Sequence, residues 1–182
     1  AGAWIQIAVG NLNGCALDSE GSIQRWGIDT QGQVSDAPDG TYAALSVGSY
    51  HACALDQAGG IECWGNTSHG QTSPSIASAE SLTANGLTSC AIDGNGSINC
   101  WGDDTKGFVS DAPVTGVYTL ADMGLEYACA LDENQEIYCW GNGASADLDT
   151  PDGWCSDYVD EDGDGWSPTC DGDCDDADDS LN

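Results

Sequence analysis

The residues of this 182-residue chain best suited to chemistry are its acids and its cysteines. Near the C-terminus, Asp160-Glu-Asp162-Gly-Asp164-Gly165-Trp166 places carboxylates at positions 1, 3 and 5 of a loop, Gly at position 6 and the Trp166 carbonyl at position 7, with Asp171 at position 12. Hard divalent cations need several oxygens, and calcium tolerates an irregular loop better than magnesium does, so the spacing predicts a calcium site. Asp at position 12 reaches less far than Glu, which lowers the expected affinity. A second cluster, Asp173, Asp175, Asp176 and Asp178, extends the predicted ligand set beyond Asp171. From Asp152 to Asn182 there are twelve acids and no base, so this tail is expected to order only when loaded with cation.

The cysteines number ten, and six of them obey one rule: Cys53 and Cys63, Cys90 and Cys100, and Cys129 and Cys139 are each separated as C-x9-C. An even, rule-bound set predicts disulfides and an oxidising compartment, extracellular or periplasmic. Zinc is disfavoured, because C-x2-C clusters are missing and His51 and His69 have no counterparts elsewhere in the pattern. Arg25 stands where Cys15 would find its partner. Cys15, Cys155, Cys170 and Cys174 are then left over, with three possible connectivities. Cys15 is expected to pair with a tail cysteine, within the chain or in a neighbouring subunit.

The elements that must position these residues recur. Cys-Ala-Leu/Ile-Asp, a short turn, an aliphatic residue and Trp-Gly appear at Cys15–Gly27 (with Arg25 in place of the second Cys), Cys53–Gly65, Cys90–Gly102 and Cys129–Gly141, and Trp26, Trp64, Trp101 and Trp140 are spaced by 38, 37 and 39 residues. Such a period marks a repeat architecture whose members stack to bury their apolar faces. Within each unit a hairpin is predicted: Ala52 to Asp56 pairs with Gly60 to Trp64 around Gln57-Ala58-Gly59, the third turn residue being left-handed. Gly supplies that conformation at Gly21, Gly59 and Gly96. The fourth turn, Glu133-Asn134-Gln135, must force it on a bulkier residue. In this register Cys53 faces Cys63 and Leu55 faces Ile61, within disulfide reach.

Upstream of each hairpin lies another alternating, strand-like run, opening with Trp4, Tyr42 or Tyr118 eleven residues before the Cys. After each Trp-Gly a polar turn leads to Gly32-Gln33-Val34-Ser35, Gly70-Gln71-Thr72-Ser73 or Gly107-Phe108-Val109-Ser110, read as a further short extended piece. No sustained helical period occurs. The expected fold is all-β: four propeller-type blades of three or four strands (1–38, 39–76, 77–114 and 115–150), then an irregular Asp/Cys-rich tail at 151–182.

Gly48-Ser-Tyr-His51, Ala54-Leu55-Asp56, Trp64-Gly65-Asn66 and Gly70-Gln71 resemble the regulator of chromosome condensation repeat, in its secreted bacterial form, over roughly residues 1–150. That resemblance implies a β-propeller of four-stranded blades, usually seven. With four units, the chain is expected either to close a small ring or to form an open arc completed by neighbouring subunits. The tail resembles EF-hand-like and thrombospondin type 3 calcium motifs, in which irregular chain wraps around ions.

Charge narrows the partners. Against 31 acids the chain has only Arg25 and Lys106, for a net charge of -29. That field repels phosphate backbones and excludes the nucleic-acid role of the nuclear relatives. No stretch is apolar enough to span a bilayer, and no charged-then-hydrophobic leader opens the chain, as expected of a mature secreted chain or a fragment of one. Catalytic motifs are missing, and His51 reads as a packed turn residue, so no enzyme is expected. The four repeat tryptophans should pack between blades, while Trp4, Trp154 and Trp166 fall outside that position and could meet a sugar or a subunit. Asn66-Thr-Ser68 and Asn95-Gly-Ser97 are glycosylation-type sequons on turns. The expected function is that of an extracellular, calcium-stabilised structural subunit that self-assembles, as a homo-oligomer or head-to-tail polymer at a surface or in a filament. The alternative is a monomeric surface propeller that binds a carbohydrate or protein.

Overall fold

The computed structural model describes residues 2–142, which are all-β. Twelve strands form four three-stranded antiparallel sheets, each from consecutive strands. The first blade is β1 (Trp4–Val9), β2 (Asn13–Asp18) and β3 (Ile23–Gly27). The second is β4 (Tyr42–Val47), β5 (His51–Asp56) and β6 (Ile61–Gly65). The third is β7 (Ser81–Asn85), β8 (Thr88–Ile92) and β9 (Ile98–Gly102), and the fourth β10 (Tyr118–Met123), β11 (Tyr127–Asp132) and β12 (Ile137–Gly141).

The hairpin register is the one that the spacing requires: Cys53 faces Cys63 and Leu55 faces Ile61. The same holds at Cys90 and Cys100, and at Cys129 and Cys139. All three pairs are disulfides, with Cα atoms 4.0 Å apart. Each turn is organised by the Asp that ends its central strand or directly follows it. The Asp56 carboxylate accepts the amides of Ala58 and Gly60 at 2.7 and 2.8 Å, and Asp18, Asp93 and Asp132 hold their turns in the same way. A short carboxylate that accepts from two and four residues onward competes with a continued strand and so fixes the reversal. At the third turn position φ is +85° at Gly21, +86° at Gly59 and +78° at Gly96, whereas the fourth blade holds Gln135 at +69°.

The segments after Trp-Gly are not fourth strands. They coil into turns because side chains capture their amides: Asp29 accepts from Val34 and Ser35 at 2.8 and 2.9 Å, and Asp104 accepts from Val109 and Ser110 at the same distances. Local acceptors win there over a ladder partner.

The blades stack in chain order, β1 against β4, β4 against β7 and β7 against β10, as an open arc. Their inner turns come close enough to require glycine. A Cβ on Gly10 would lie 2.0 Å from the Gly48 carbonyl oxygen of the next blade. The Ser49 amide then donates to the Gly86 carbonyl at 2.8 Å, linking the second blade to the third.

Candidate functional site

Each blade has two unlike faces, because side chains alternate along a strand. One face carries the tryptophan and the other carries the cysteine pair, or Cys15 with Arg25 in the first blade. Between the first two blades, Cys15 and Leu17 pack against Leu45, Val47, Ala52, Ala54 and Trp64. At the next junction Cys53 and Leu55 meet Ala91 and Trp101, and at the last Cys90, Ile92, Ile98 and Cys100 meet Met123, Ala128, Ala130 and Trp140. The cysteine face of one blade always covers the tryptophan face of the next. Polarity is therefore built into the stack.

A hydrogen bond repeats with this packing. The Trp64 indole donates to the Gln33 carbonyl at 3.0 Å, Trp101 to Gln71 at 2.9 Å and Trp140 to Phe108 at 2.9 Å. Each acceptor lies seven residues after the preceding blade's tryptophan, so the coiled segment after Trp-Gly exists to deliver one buried carbonyl. Gln33 and Gln71 are themselves fully buried, and their side chains accept the amides of Gln31 and His69 at 2.7 and 2.9 Å. Sequence reasoning read these residues as part of a short extended piece and did not foresee the carbonyl role. The constant interval from Trp was the signal that could have found them.

Among the described residues, the first and fourth blades each leave one face uncovered. On the first, Trp26 is 41% exposed, against 4–5% for Trp64, Trp101 and Trp140, which corrects the expectation that all four pack between blades. Val9 is 69% exposed where Val47, Ala84 and Met123 are at most 9%. Ile7 is likewise exposed where Leu45 is buried. Among the described residues the Trp26 indole has no carbonyl to serve it. Trp4, Ile5, Ile7, Ala16, Gln24 and Trp26 line a groove of about 530 Å³ on this face. At the far end, the cysteine face of the fourth blade leaves Leu120 exposed and Leu131, Ile137, Cys129 and Cys139 only half-buried. Leu17, Leu55 and Ile92, the counterparts of Leu131, are buried.

Cys15 is a free thiol, 1% exposed under the second blade. The tail cysteines expected to pair with it lie outside the described residues, and its sulfur sits in the core between the first two blades. Burial raises its pKa to about 11, partly opposed by the Arg25 charge across the strand pair. The arginine turns outward, donating through Nε to the Val34 carbonyl at 3.1 Å. Lys106 bonds to the Leu125 carbonyl and pairs with Glu126, tying the loop after the third blade to the fourth. Both cations of the chain are thus used internally, and no basic patch remains.

His51 begins β5 fully buried, rather than lying in a turn, with Nε2 2.8 Å from the Ser89 hydroxyl of the next blade. Burial lowers its pKa to about 4. Asn66 of the first sequon donates its side-chain amide to Gln31 at 2.9 Å and so serves the junction of the first two blades. The metal ligands expected from sequence, Asp160 to Asp178, lie outside the described residues, as do Cys155, Cys170, Cys174, Trp154 and Trp166. Among the described residues no group of three or more His, Cys, Asp or Glu could hold a metal ion, and no helix is long and apolar enough to cross a membrane.

The fold and its interfaces define an open arc of propeller blades, and the comparisons place the blades by type. Residues 42–71 match the regulator of chromosome condensation (RCC1) repeat, so the chain carries β-propeller repeats of that type. No curated protein matches. Among solved structures, the entire ectodomain of the receptor kinase CR4 from Physcomitrella patens is 31% identical, with a TM-score of 0.65 over 76% of this chain and 41% of that one. The CRINKLY WD40 ectodomain of the Arabidopsis thaliana receptor kinase ACR4 is 20% identical, with a TM-score of 0.61 over 77% of this chain and 50% of that one. Prp20p from Saccharomyces cerevisiae is 18% identical, with a TM-score of 0.64 over 76% of this chain and 45% of that one. The last two share the fold alone. The chain spans half or less of the length of these structures.

Proposed function

We propose that this chain is an extracellular structural module, stapled by disulfides and stabilised by calcium in its acidic tail, which assembles with further copies of itself. The observation that carries this reading is the apolar tryptophan face that the described residues leave exposed on the first blade. Trp26, Val9 and Ile7 occupy positions that every following blade, or the next one, buries, and an apolar patch of that kind on a secreted protein marks an interaction site. The outward setting rests on three disulfides and on the likeness to a receptor ectodomain. Calcium follows from the ligand spacing at Asp160, Asp162, Asp164, Trp166 and Asp171 and from the cluster at Asp173, Asp175, Asp176 and Asp178. It would neutralise repulsion among twelve acids in the last 31 residues.

A second reading, a monomeric binder of carbohydrate or protein, is favoured by the same groove, where Trp4 and Trp26 flank Gln6 and Gln24. Particle size in calcium and then in chelator separates the two. Assembly predicts large particles that shrink on chelation; a compact monomer under both conditions overturns it.

A further inference from the structure

We infer that His51 is an acid-sensitive catch between the second and third blades, which lets that junction open on acidification while the junctions on either side stay closed. The catch is built from two departures from the repeat that meet. At the first position of the central strand the four blades hold Asn13, His51, Thr88 and Tyr127, each facing the glycine of Trp-Gly, and of these side chains only the histidine takes up a proton in mild acid. One position on, opposite the tryptophan, they hold Gly14, Ala52, Ser89 and Ala128. The single hydroxyl of that set therefore lies in the blade that follows the single histidine, and the two side chains meet at 2.8 Å.

The site accepts a neutral ring and not a charged one. With its proton on Nε2, the ring donates to the Ser89 hydroxyl, which donates in turn to the Gln71 carbonyl at 3.4 Å, the same carbonyl that the Trp101 indole binds. Nδ1 is buried without a partner among the described residues, and a Cβ on Gly48 would come within 2.6 Å of it. A bare lone pair is tolerated there better than an N–H. Protonation would add that N–H and a charge together, at a fully buried position. No acid on the surrounding elements is placed to offset it. On β5 itself Asp56 lies at the far end, opposite Tyr42 of β4, and on β6 Glu62 faces Ala54 and accepts from the Tyr42 hydroxyl. Strands β7, β8 and β9 carry no acid or base, and Cys53, Cys63, Cys90 and Cys100 are held in disulfides. The adjoining loops add Tyr50, the exposed His69 beside the Ser68 hydroxyl, and Asp103, whose carboxylate is taken by Thr105.

Opening exposes the ring, whose pKa then returns from about 4 toward 6.5, so the open junction gains protons as pH falls through that range. From pH 8 to pH 5 its population should rise about thirtyfold. Amide hydrogen exchange in the full chain, resolved residue by residue and corrected for its intrinsic pH dependence, reads this directly. The reporters at the junction are Ser49, which donates to the Gly86 carbonyl, and Ala84, which donates to the Ser46 hydroxyl. Leu45, which donates to the Gln6 side chain, and Tyr118, which donates to the Gly96 carbonyl, report the junctions on either side. Protection at Ser49 and Ala84 should fall about thirtyfold while that at Leu45 and Tyr118 holds, and His51→Gln should make all four independent of pH. Equal loss at the four amides would mean that His51 acts only on global unfolding, and would overturn the catch. Unchanged protection at Ser49 and Ala84 in the wild type would overturn it whether or not the variant folds. A fall that persists in folded His51→Gln would assign the effect to another group and overturn it as well.

Discussion

The Trp64 indole donates to the Gln33 carbonyl at 3.0 Å across the boundary between the first two blades, and this bond, repeated at Trp101 and Trp140, ties the blades into one stack. An indole is large enough to fill the gap between sheets and carries one donor at its edge, so it joins packing to hydrogen bonding at a single point. The buried Gln33 carbonyl would otherwise be left without that partner.

Trp64→Phe keeps most of the apolar volume but removes the donor. Loss of a buried partner costs about 1–3 kcal/mol, and urea unfolding should show it. Trp26→Phe, at the uncovered end, should stay within about 0.5 kcal/mol of wild type in the dissociated chain. Equal losses in the two variants would mean that the carbonyl contact is not what stabilises the junction.

Gln135 sits at φ +69°, a region that L side chains adopt at a cost, where the other three blades have glycine. Gln135→Gly should therefore stabilise the fourth blade, by up to about 1 kcal/mol after the added unfolded-state entropy of glycine is set against the relief. A higher thermal midpoint checks the sign.

Arg25→Cys restores the register partner of Cys15. A fourth cross-strand disulfide should form on oxidation and stabilise the first blade by about 2–4 kcal/mol. In the wild type, Cys15 should resist alkylation at pH 8 until the chain unfolds, because its thiol is buried with a pKa of about 11. Mass spectrometry after alkylation reads both outcomes.

His51 links stability to pH. Its folded pKa, about 4, lies below the 6.5 of the free side chain, so the unfolded state binds more protons between those values. Its stabilising effect is fully present above pH 6.5 and is lost as pH falls toward 4, by about 3 kcal/mol in total. His51→Gln should flatten that window. Below it, the turn carboxylates Asp18 and Asp93, held low chiefly by the Ser22 and Ser97 amides, become protonated and destabilise the chain further.

Much of the blade was legible in the residues. The C-x9-C interval implied facing cysteines because an antiparallel hairpin with a three-residue turn has only one register that brings them together. The missing glycine at Gln135 likewise announced a forced left-handed residue. The extra strand expected after Trp-Gly was a misreading, because alternation was judged without the Asp29 and Asp104 side chains that capture the local amides. The vacancy at Arg25 showed that Cys15 lacks its hairpin partner, but its burial between sheets depends on the neighbouring blade, which no local pattern records.

By itself the sequence determined the repeat, its hairpins, its disulfides and the sign of its charge, since these follow from spacing and composition over a dozen residues. Only the tertiary structure decided which face of each blade covers the next and that Trp26 stays open while Trp64 does not. The two tryptophans occupy the same place in the same motif. What separates them, among the described residues, is the blade packed on Trp64, a relation between sheets rather than between neighbours in the chain.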